Sequence, residues 1–212
     1  MKFFVTGANR GIGAALVVAG KARGHEVIGA TRTGVDGTVK LDLSDPNAIA
    51  AQLQGAPNFD VLINNAGIYG PDWPHAAKMD YAAFAETFAV NTMAPLAVAT
   101  ALLPQLRASR TPKILTISSQ MSYMGYRKST KLAYRASKAA VNKVMQGLSQ
   151  VLESDNIPVA LIDPGWVRTD MGGAEAEEDP HEVAAGIIEI AEKLSMKDTG
   201  KFFRFTGEER PF

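Results

Sequence analysis

The chain has no cysteine. That excludes a disulfide framework, a thiol nucleophile and a thiolate metal site. Histidine is nearly as scarce: His25, His75 and His181 lie far apart without ligand spacing, so no metal site is expected. An excess of one charge is missing too. Lys plus Arg number 22 and Asp plus Glu number 22, so the net charge is zero. That balance argues against nucleic acid or an anionic membrane as the main partner. The longest apolar run, near Pro95–Pro104, falls short of the ~20 residues a membrane helix needs. Strand-like residues begin at Lys2, which leaves no room for a signal peptide. The expectation is a soluble cytoplasmic protein. No repeat, long linker or low-complexity tract interrupts the 212 residues, so one domain over 1–212 is expected.

What is present is alternation. Short β-rich runs at Lys2–Thr6, Glu26–Thr31, Thr38–Leu41, Asp60–Ile63, Lys113–Ser118, Pro158–Ile162 and Lys201–Phe205 read as seven strands. Helical patterns lie between them: Ile12–Arg23, a stretch to about Gln54 capped by Ser44 or Asp45, roughly Ala76–Leu106, and one from Tyr134 to about Glu153. Asp179-Pro180-His181-Glu182 reads as a capped start of a last helix. Such alternation means βαβ units, a mostly parallel sheet and helices on both faces. The small, acidic stretch from Met171 to Glu178 reads as a mobile loop. It belongs to a substrate loop over 171–180, whose acidic part, Glu175–Asp179, is a candidate lid.

The unusual residues follow the strands. In open α/β sheets, ligands bind beyond the carboxyl ends of the strands. Strand one leads into Thr6-Gly7-Ala8-Asn9-Arg10-Gly11-Ile12-Gly13, strand four into Asn64-Asn65-Ala66-Gly67, strand five into Ser118-Ser119 and strand six into Pro164-Gly165. In the first of these, Gly7 permits a tight turn into a helix. Gly11 and Gly13 let a diphosphate and the sheet approach the backbone, where free N–H groups and the helix dipole face the phosphates. The spacing G-x-x-x-G-x-G differs from the commoner G-x-G-x-x-G.

Tyr134 and Lys138 lie four apart and share one helix face. A nearby ammonium favours a phenolate, so the pair can exchange a proton with an alcohol or carbonyl oxygen. Ser118-Ser119 lacks the G-x-S-x-G elbow of a serine hydrolase. Successive strand residues point oppositely, so only one of these serines can face a site. Strand two ends at Thr31-Arg32, with Arg10 also in the glycine turn, where an NAD-specific fold places an acid. Two guanidinium groups suit a 2′-phosphate, so NADP(H) is expected. Asp36 is the acid nearest in sequence, and the Gly34–Gly37 turn is expected to carry it away. Pro95 cannot donate to the Asn91 carbonyl four residues earlier. A kink is expected there, which leaves that carbonyl in need of another partner, such as an ordered water.

Taken together, Thr6-Gly7-x-x-x-Gly11-x-Gly13, Asn64-Asn65-Ala66-Gly67, Asn91, Ser119, Tyr134-x-x-x-Lys138 and Pro164-Gly165 resemble the short-chain dehydrogenase/reductase family in its compact single-domain branch. The stretches Tyr134–Asn142 and Pro164–Gly173 are most similar to C-factor-like and sniffer-like carbonyl reductases. The resemblance implies a Rossmann-type, doubly wound, mostly parallel seven-stranded sheet in the order 3-2-1-4-5-6-7. It implies a carbonyl–alcohol oxidoreductase with Tyr134 as acid/base, Ser119 on the substrate oxygen, Lys138 on the nicotinamide ribose and lowering the Tyr134 pKa, and Asn91 supporting a water. Cofactor contacts would come from Gly7, Asn9, Arg10, Gly11, Ile12, Gly13, Thr31 and Arg32. Asp42 and Leu43 would flank the adenine. Asn65, Ala66 and Gly67 would pack beneath the cofactor, and Pro164, Gly165, Val167 and Thr169 would border the nicotinamide. The substrate would be a small apolar carbonyl or alcohol, in a pocket bounded by Ile68, Tyr69, Met121–Tyr126, Trp166 and Met171. A homodimer or homotetramer is implied, packed through Ala136, Ala139, Ala140 and Val144. Tyr126–Leu132 reads as a small basic insertion, and with Arg135 its Arg127, Lys128 and Lys131 form a solvated basic cluster.

Overall fold

The middle of the sheet is built mainly from apolar side chains, and alternate residues serve opposite faces. The computed structural model describes residues 1–72 and 78–212. His75 and the first residues of the expected Ala76–Leu106 helix lie outside them, as does the side chain of Asp36. Eight strands form one sheet in the order β3-β2-β1-β4-β5-β6-β7-β8. They are β1 (Lys2–Thr6), β2 (Glu26–Thr31), β3 (Val39–Lys40), β4 (Val61–Asn64), β5 (Lys113–Ile117), β6 (Val159–Asp163), β7 (Phe202–Arg204) and β8 (Glu209–Arg210). The first seven run parallel in the expected order, and β8 is an antiparallel edge strand that the sequence reading lacked. Its two residues carry charge and no β-branched pattern; Gly207, at φ +90°, makes the turn. Short, charged edges of this kind discourage further strand pairing.

The helices are α1 (Gly11–Ala22), α2 (Ile49–Gln52), α3 (Tyr81–Phe88), α4 (Ala94–Ala101), α5 (Leu103–Ala108), α6 (Leu132–Val151) and α7 (Pro180–Lys193). Phe4, Leu62, Ile114 and Leu161 project to one face, against Val98 and Leu102 of α4–α5 and Val141 and Met145 of α6. Their neighbours Phe3, Ile63, Leu115 and Ile162 project to the other, against Leu16 of α1 and Val183 and Ile187 of α7. Period-two alternation on two-sided strands thus builds a three-layer domain with its two cores on either side of the sheet.

Two expectations change at the helices. The segment between α3 and α4, Ala89–Met93, is a π-helical turn, closed by the Ala94 N–H on the Ala89 carbonyl. The deformation expected from Pro95 therefore takes the form of one widened turn immediately ahead of it. A ring that would crowd the carbonyl four back is accommodated by inserting a residue. The continuous helical stretch Tyr81–Ala101 has 21 residues and mean hydropathy 1.2, so by length and composition it could cross a membrane. The apolar run expected to fall short is longer when the helix is traced. Val90, Ala94, Pro95, Val98 and Ala99 are buried inside the domain, the pattern of a core helix.

At the start of α2, Asp45 and not Ser44 is the cap, accepting from Asn47 N–H at 3.0 Å. Asp179 caps α7 through His181 N–H at 2.8 Å. The acidic loop before α7 is tied at its base. Val167 bridges Glu178, and the Arg168 guanidinium bonds the Ala176 and Glu177 carbonyls. Composition suggested a mobile segment; one arginine inside the preceding turn supplies its acceptors with a donor.

Candidate active site

The parallel strands point their carboxyl ends at one edge, and the turns there surround a cleft of about 750 Å³. Its floor is built by the glycine turn. Gly7 has φ +67°, and a Cβ on it would sit 3.0 Å from Ala66. A Cβ on Gly13 would fall 2.0 Å from the Gly7 carbonyl oxygen, so no other residue fits. Arg10, the residue ahead of α1, offers no side-chain cap, and the first turn of that helix carries no acid. Its N–H groups and dipole are left for an anion.

The Asn-Asn-Ala-Gly turn is stitched to that floor. Thr6 Oγ1 accepts from Asn65 N–H at 3.0 Å and Ala66 N–H at 3.1 Å. The Asn65 amide donates back to the Thr6 carbonyl at 2.9 Å. Gly67 lies with its α-carbon face toward Lys138: a Cβ there would stand 3.6 Å from the ammonium and 3.2 Å from Asn91 Oδ1. A glycine cradle, unspent N–H groups and an ammonium behind Gly67 fit the diphosphate and ribose of a dinucleotide.

α6 presents Tyr134, Lys138, Val141 and Met145 on its buried face. Tyr134 is 9% exposed. Its ring meets the Tyr69 ring edge-on, centroids 4.8 Å apart. Lys131 lies over Tyr69, 4.6 Å from the centroid, and pairs with Asp72 at 2.6 Å. The basic insertion thus sets one residue against the cleft-lining Tyr69, while Arg127 and Lys128 stay exposed.

Burial pushes the Tyr134 phenol upward, the Tyr69 ring and Asp163 add to this, and the Ser119 side chain opposes them through a hydrogen bond. The lowering expected from Lys138 is not found. That ammonium donates to the Ile117 carbonyl at 2.7 Å and lies 5.7 Å from the Tyr134 ring centroid. Burial draws Lys138 itself down to about 8.

Both serines line the cleft, contrary to the expectation that only one could, and their side chains have different partners. Ser118 Oγ donates to Asn142 Oδ1, deep against α6. Ser119 Oγ accepts from Met121 N–H at 3.1 Å and faces Tyr134. Ser119, Tyr134 and Lys138 therefore share the cleft wall. With them line up Gly7, Asn9, Arg10, Gly11, Ile12, Gly13, Thr31, Arg32, Leu43, Asn65, Ala66, Gly67, Pro164, Gly165, Val167 and Thr169.

Asp42 and Asn91 do not line it. The Asp42 carboxylate turns to Ser44 N–H at 2.9 Å, and this bond holds it below the usual carboxylate range. Asn91 is 1% exposed. Its Oδ1 accepts from Ile68 N–H at 2.9 Å, and its amide donates to the Ile68 carbonyl at 2.8 Å and to Ser137 Oγ at 3.0 Å. The sequence reading looked to the Asn91 carbonyl. The side chain instead joins the loop after β4 to α6, a pairing of two distant segments that no spacing rule reveals.

Of the expected pocket residues, Ile68, Tyr69, Met121, Trp166 and Met171 border the cleft. Trp166 Nε1 donates to the Gly172 carbonyl at 2.8 Å, which fixes the indole at the rim. Missed altogether was Asp163. It ends β6 with no exposed surface. The one available signal was a carboxylate immediately ahead of Pro164-Gly165.

The family described as short chain dehydrogenase matches residues 2–180. The protein named C-signal from Myxococcus xanthus is 37% identical over 154 residues, which cover 72% of this chain and 92% of that one. Among solved structures, the NADPH-bound carbonyl reductase from chicken fatty liver superposes with TM-score 0.88 at 28% identity, covering 100% of this chain and 98% of the other. The carbonyl reductase Sniffer of D. melanogaster gives TM-score 0.88 at 27% identity, covering 100% and 99%.

Proposed function

Because the chain belongs to the short-chain dehydrogenase family, we propose that it is an NADPH-dependent carbonyl reductase acting on small apolar carbonyl compounds. The observation that carries this reading is the meeting of Ser119, Tyr134 and Lys138 in the same cleft as the glycine turn. Two of the similar structures, both carbonyl reductases, hold NADPH or NADP. When bound, the nicotinamide supplies or accepts the hydride.

The chain's own residues then divide the remaining work. Tyr134, kept protonated by burial, donates its proton to the carbonyl oxygen in reduction and would take it back in oxidation. Ser119 holds the same oxygen by a hydrogen bond. Lys138 retains donors beyond the one spent on Ile117, and these serve the ribose hydroxyls. Thr169, beside Gly11, would contact the carboxamide. Arg10 and Arg32 border the cleft beyond β2, as a 2′-phosphate requires. Arg10 is free to do so, since its pair with Asp170 is exposed and 3.5 Å long. Asn91 acts through Ile68 and Ser137, and its backbone carbonyl remains the proposed anchor of a water leading to Lys138.

Tyr69, Trp166, Met121 and Met171 give the substrate side an aromatic and thioether lining. Soluble cytoplasmic dimers or tetramers, packed through the half-exposed small residues of α6, complete the reading. The C-signal relative suggests a non-catalytic signalling alternative, against which the retained Tyr134, Lys138 and Ser119 weigh.

The test is NADPH consumption against a panel of aldehydes, ketones and quinones, repeated with NADH. Turnover of at least one apolar carbonyl, faster with NADPH, supports the reading. A folded protein that binds NADPH and reduces none of them contradicts it.

A further inference from the structure

We propose that Asp163 is a positioning residue of this active site, and that Arg210 on the C-terminal hairpin completes it by facing the carboxylate oxygen left free inside. The proposal rests on the reductase reading and extends the site to the last strand of the sheet.

Asp163 Oδ1 accepts from two backbone N–H groups, Gln120 at 2.9 Å and Gly165 at 3.0 Å. Gln120 follows Ser119 directly. Gly165 opens the turn that carries Val167 and Thr169 into the cleft. One oxygen therefore fixes the separation of the two turns that border the reacting carbonyl from neighbouring strands. The turn at Gly165 has little other freedom: its φ is +74°, and a Cβ would stand 2.9 Å from Glu178.

Asp163 Oδ2 has no hydrogen-bond partner and is buried. Arg210 Nε, also without an acceptor, lies 3.6 Å from it. The other charged groups nearby are committed or distant. Arg204, the register neighbour on β7, gives one guanidinium nitrogen to Glu178, and its Nε, though without an acceptor, makes no ion pair with Asp163. On α6, Tyr134 feels the Asp163 charge. Around Tyr134 itself stand Lys138 on its own helix, Tyr69 from the loop after β4, with Lys131 above that ring, and Ser119 after β5. Arg210 is thus the cation in place to offset a buried negative charge that opposes ionisation of the phenol.

Three variants separate positioning from charge. Asp163→Asn keeps an oxygen for the two N–H groups and removes the charge. Asp163→Ala removes both. Arg210→Met leaves the carboxylate without its cation. Amide hydrogen exchange in the free protein reads the first role without turnover. In Asp163→Ala, Gln120 and Gly165 should exchange faster by roughly tenfold or more than the rest of β5 and β6, and in Asp163→Asn they should stay protected.

The pH profile of alcohol oxidation reads the second, because the phenolate is the competent form there. Its rising midpoint should move down in Asp163→Asn and up in Arg210→Met, each by about 0.5 pH unit or more. Should Asp163→Ala fail to fold, Asp163→Leu, similar in size and without an acceptor, reads the same two amides, and the other two variants read the charge. Unchanged exchange at both amides, or midpoints that stay put or move together, overturns the proposal. A wild-type protein inactive toward every carbonyl and alcohol would fault the reductase reading, and the exchange data would still judge the positioning role.

Discussion

Replacing Asn91 with alanine tests how the site is held. The side chain makes three hydrogen bonds, two to the backbone of Ile68 and one to Ser137. Alanine leaves the Ile68 N–H and C=O without those partners. Ser137 Oγ keeps its bond to the Tyr134 carbonyl at 2.8 Å, so its loss is partial. An unmet buried polar group costs about 1–3 kcal/mol. Ile68 is half-buried, so water offsets part of this. The sum is about 2–4 kcal/mol, which for a domain of this size lowers Tm by roughly 5–12 °C. Catalysis should suffer separately. Ile68 follows Gly67, which lies against Lys138, and a shift of about 1 Å in such a turn can cost roughly 10²-fold. Thermal unfolding with and without NADPH gives the first quantity, and kcat/KM gives the second. A variant that melts within a degree of wild type and turns over normally would refute the bracing role.

Tyr134→Phe should reduce kcat by about 10²–10⁴-fold and leave NADPH binding within a few-fold, checked by fluorescence titration. Replacing Arg10 and Arg32 together with alanine should shrink the NADPH-over-NADH ratio of kcat/KM; an unchanged ratio places 2′-phosphate recognition elsewhere. Glu192 is held down to about 2, first by its hydrogen bond to Arg23 and also by one to His25. Its folded pKa is depressed, so the stability it contributes is present above the ordinary glutamate pKa of ~4.3 and fades as pH falls toward 2. Glu192→Gln should lose about 1 kcal/mol at pH 7 in urea denaturation, and the gap should narrow below pH 4; a gap independent of pH contradicts the pairing. Sedimentation at micromolar concentration should give a dimer or tetramer; a monomer removes the assembly proposal.

Seven strands were legible because buried parallel strands leave short runs rich in β-branched and aromatic residues, and their order followed from the family resemblance. The eighth was not, since Glu209–Arg210 is two charged residues paired only through the Gly207 turn. Most of the cleft lining was legible for a related reason: glycine, asparagine and serine after strands mark close backbone approach, as Gly7 and Gly13 illustrate. What sequence could not yield were contacts between segments far apart in the chain. Lys131 over Tyr69, the Asn91 side chain on Ile68, and Asp163 spanning Gln120 and Gly165 depend on how loops meet. The direction of the Tyr134 shift failed for the same cause: helical spacing places Lys138 nearby but says nothing of the burial that raises the phenol.

The central claim is hydride transfer to a carbonyl with Tyr134 supplying the proton. Its most direct test uses NADPH deuterated at nicotinamide C4 and an apolar ketone, with the product alcohol read by mass spectrometry. The account predicts one deuterium on the carbinol carbon from a single face of C4, and loss of this product in Tyr134→Phe. An alcohol without deuterium from either face, or equal transfer by the Tyr134→Phe protein, would contradict it.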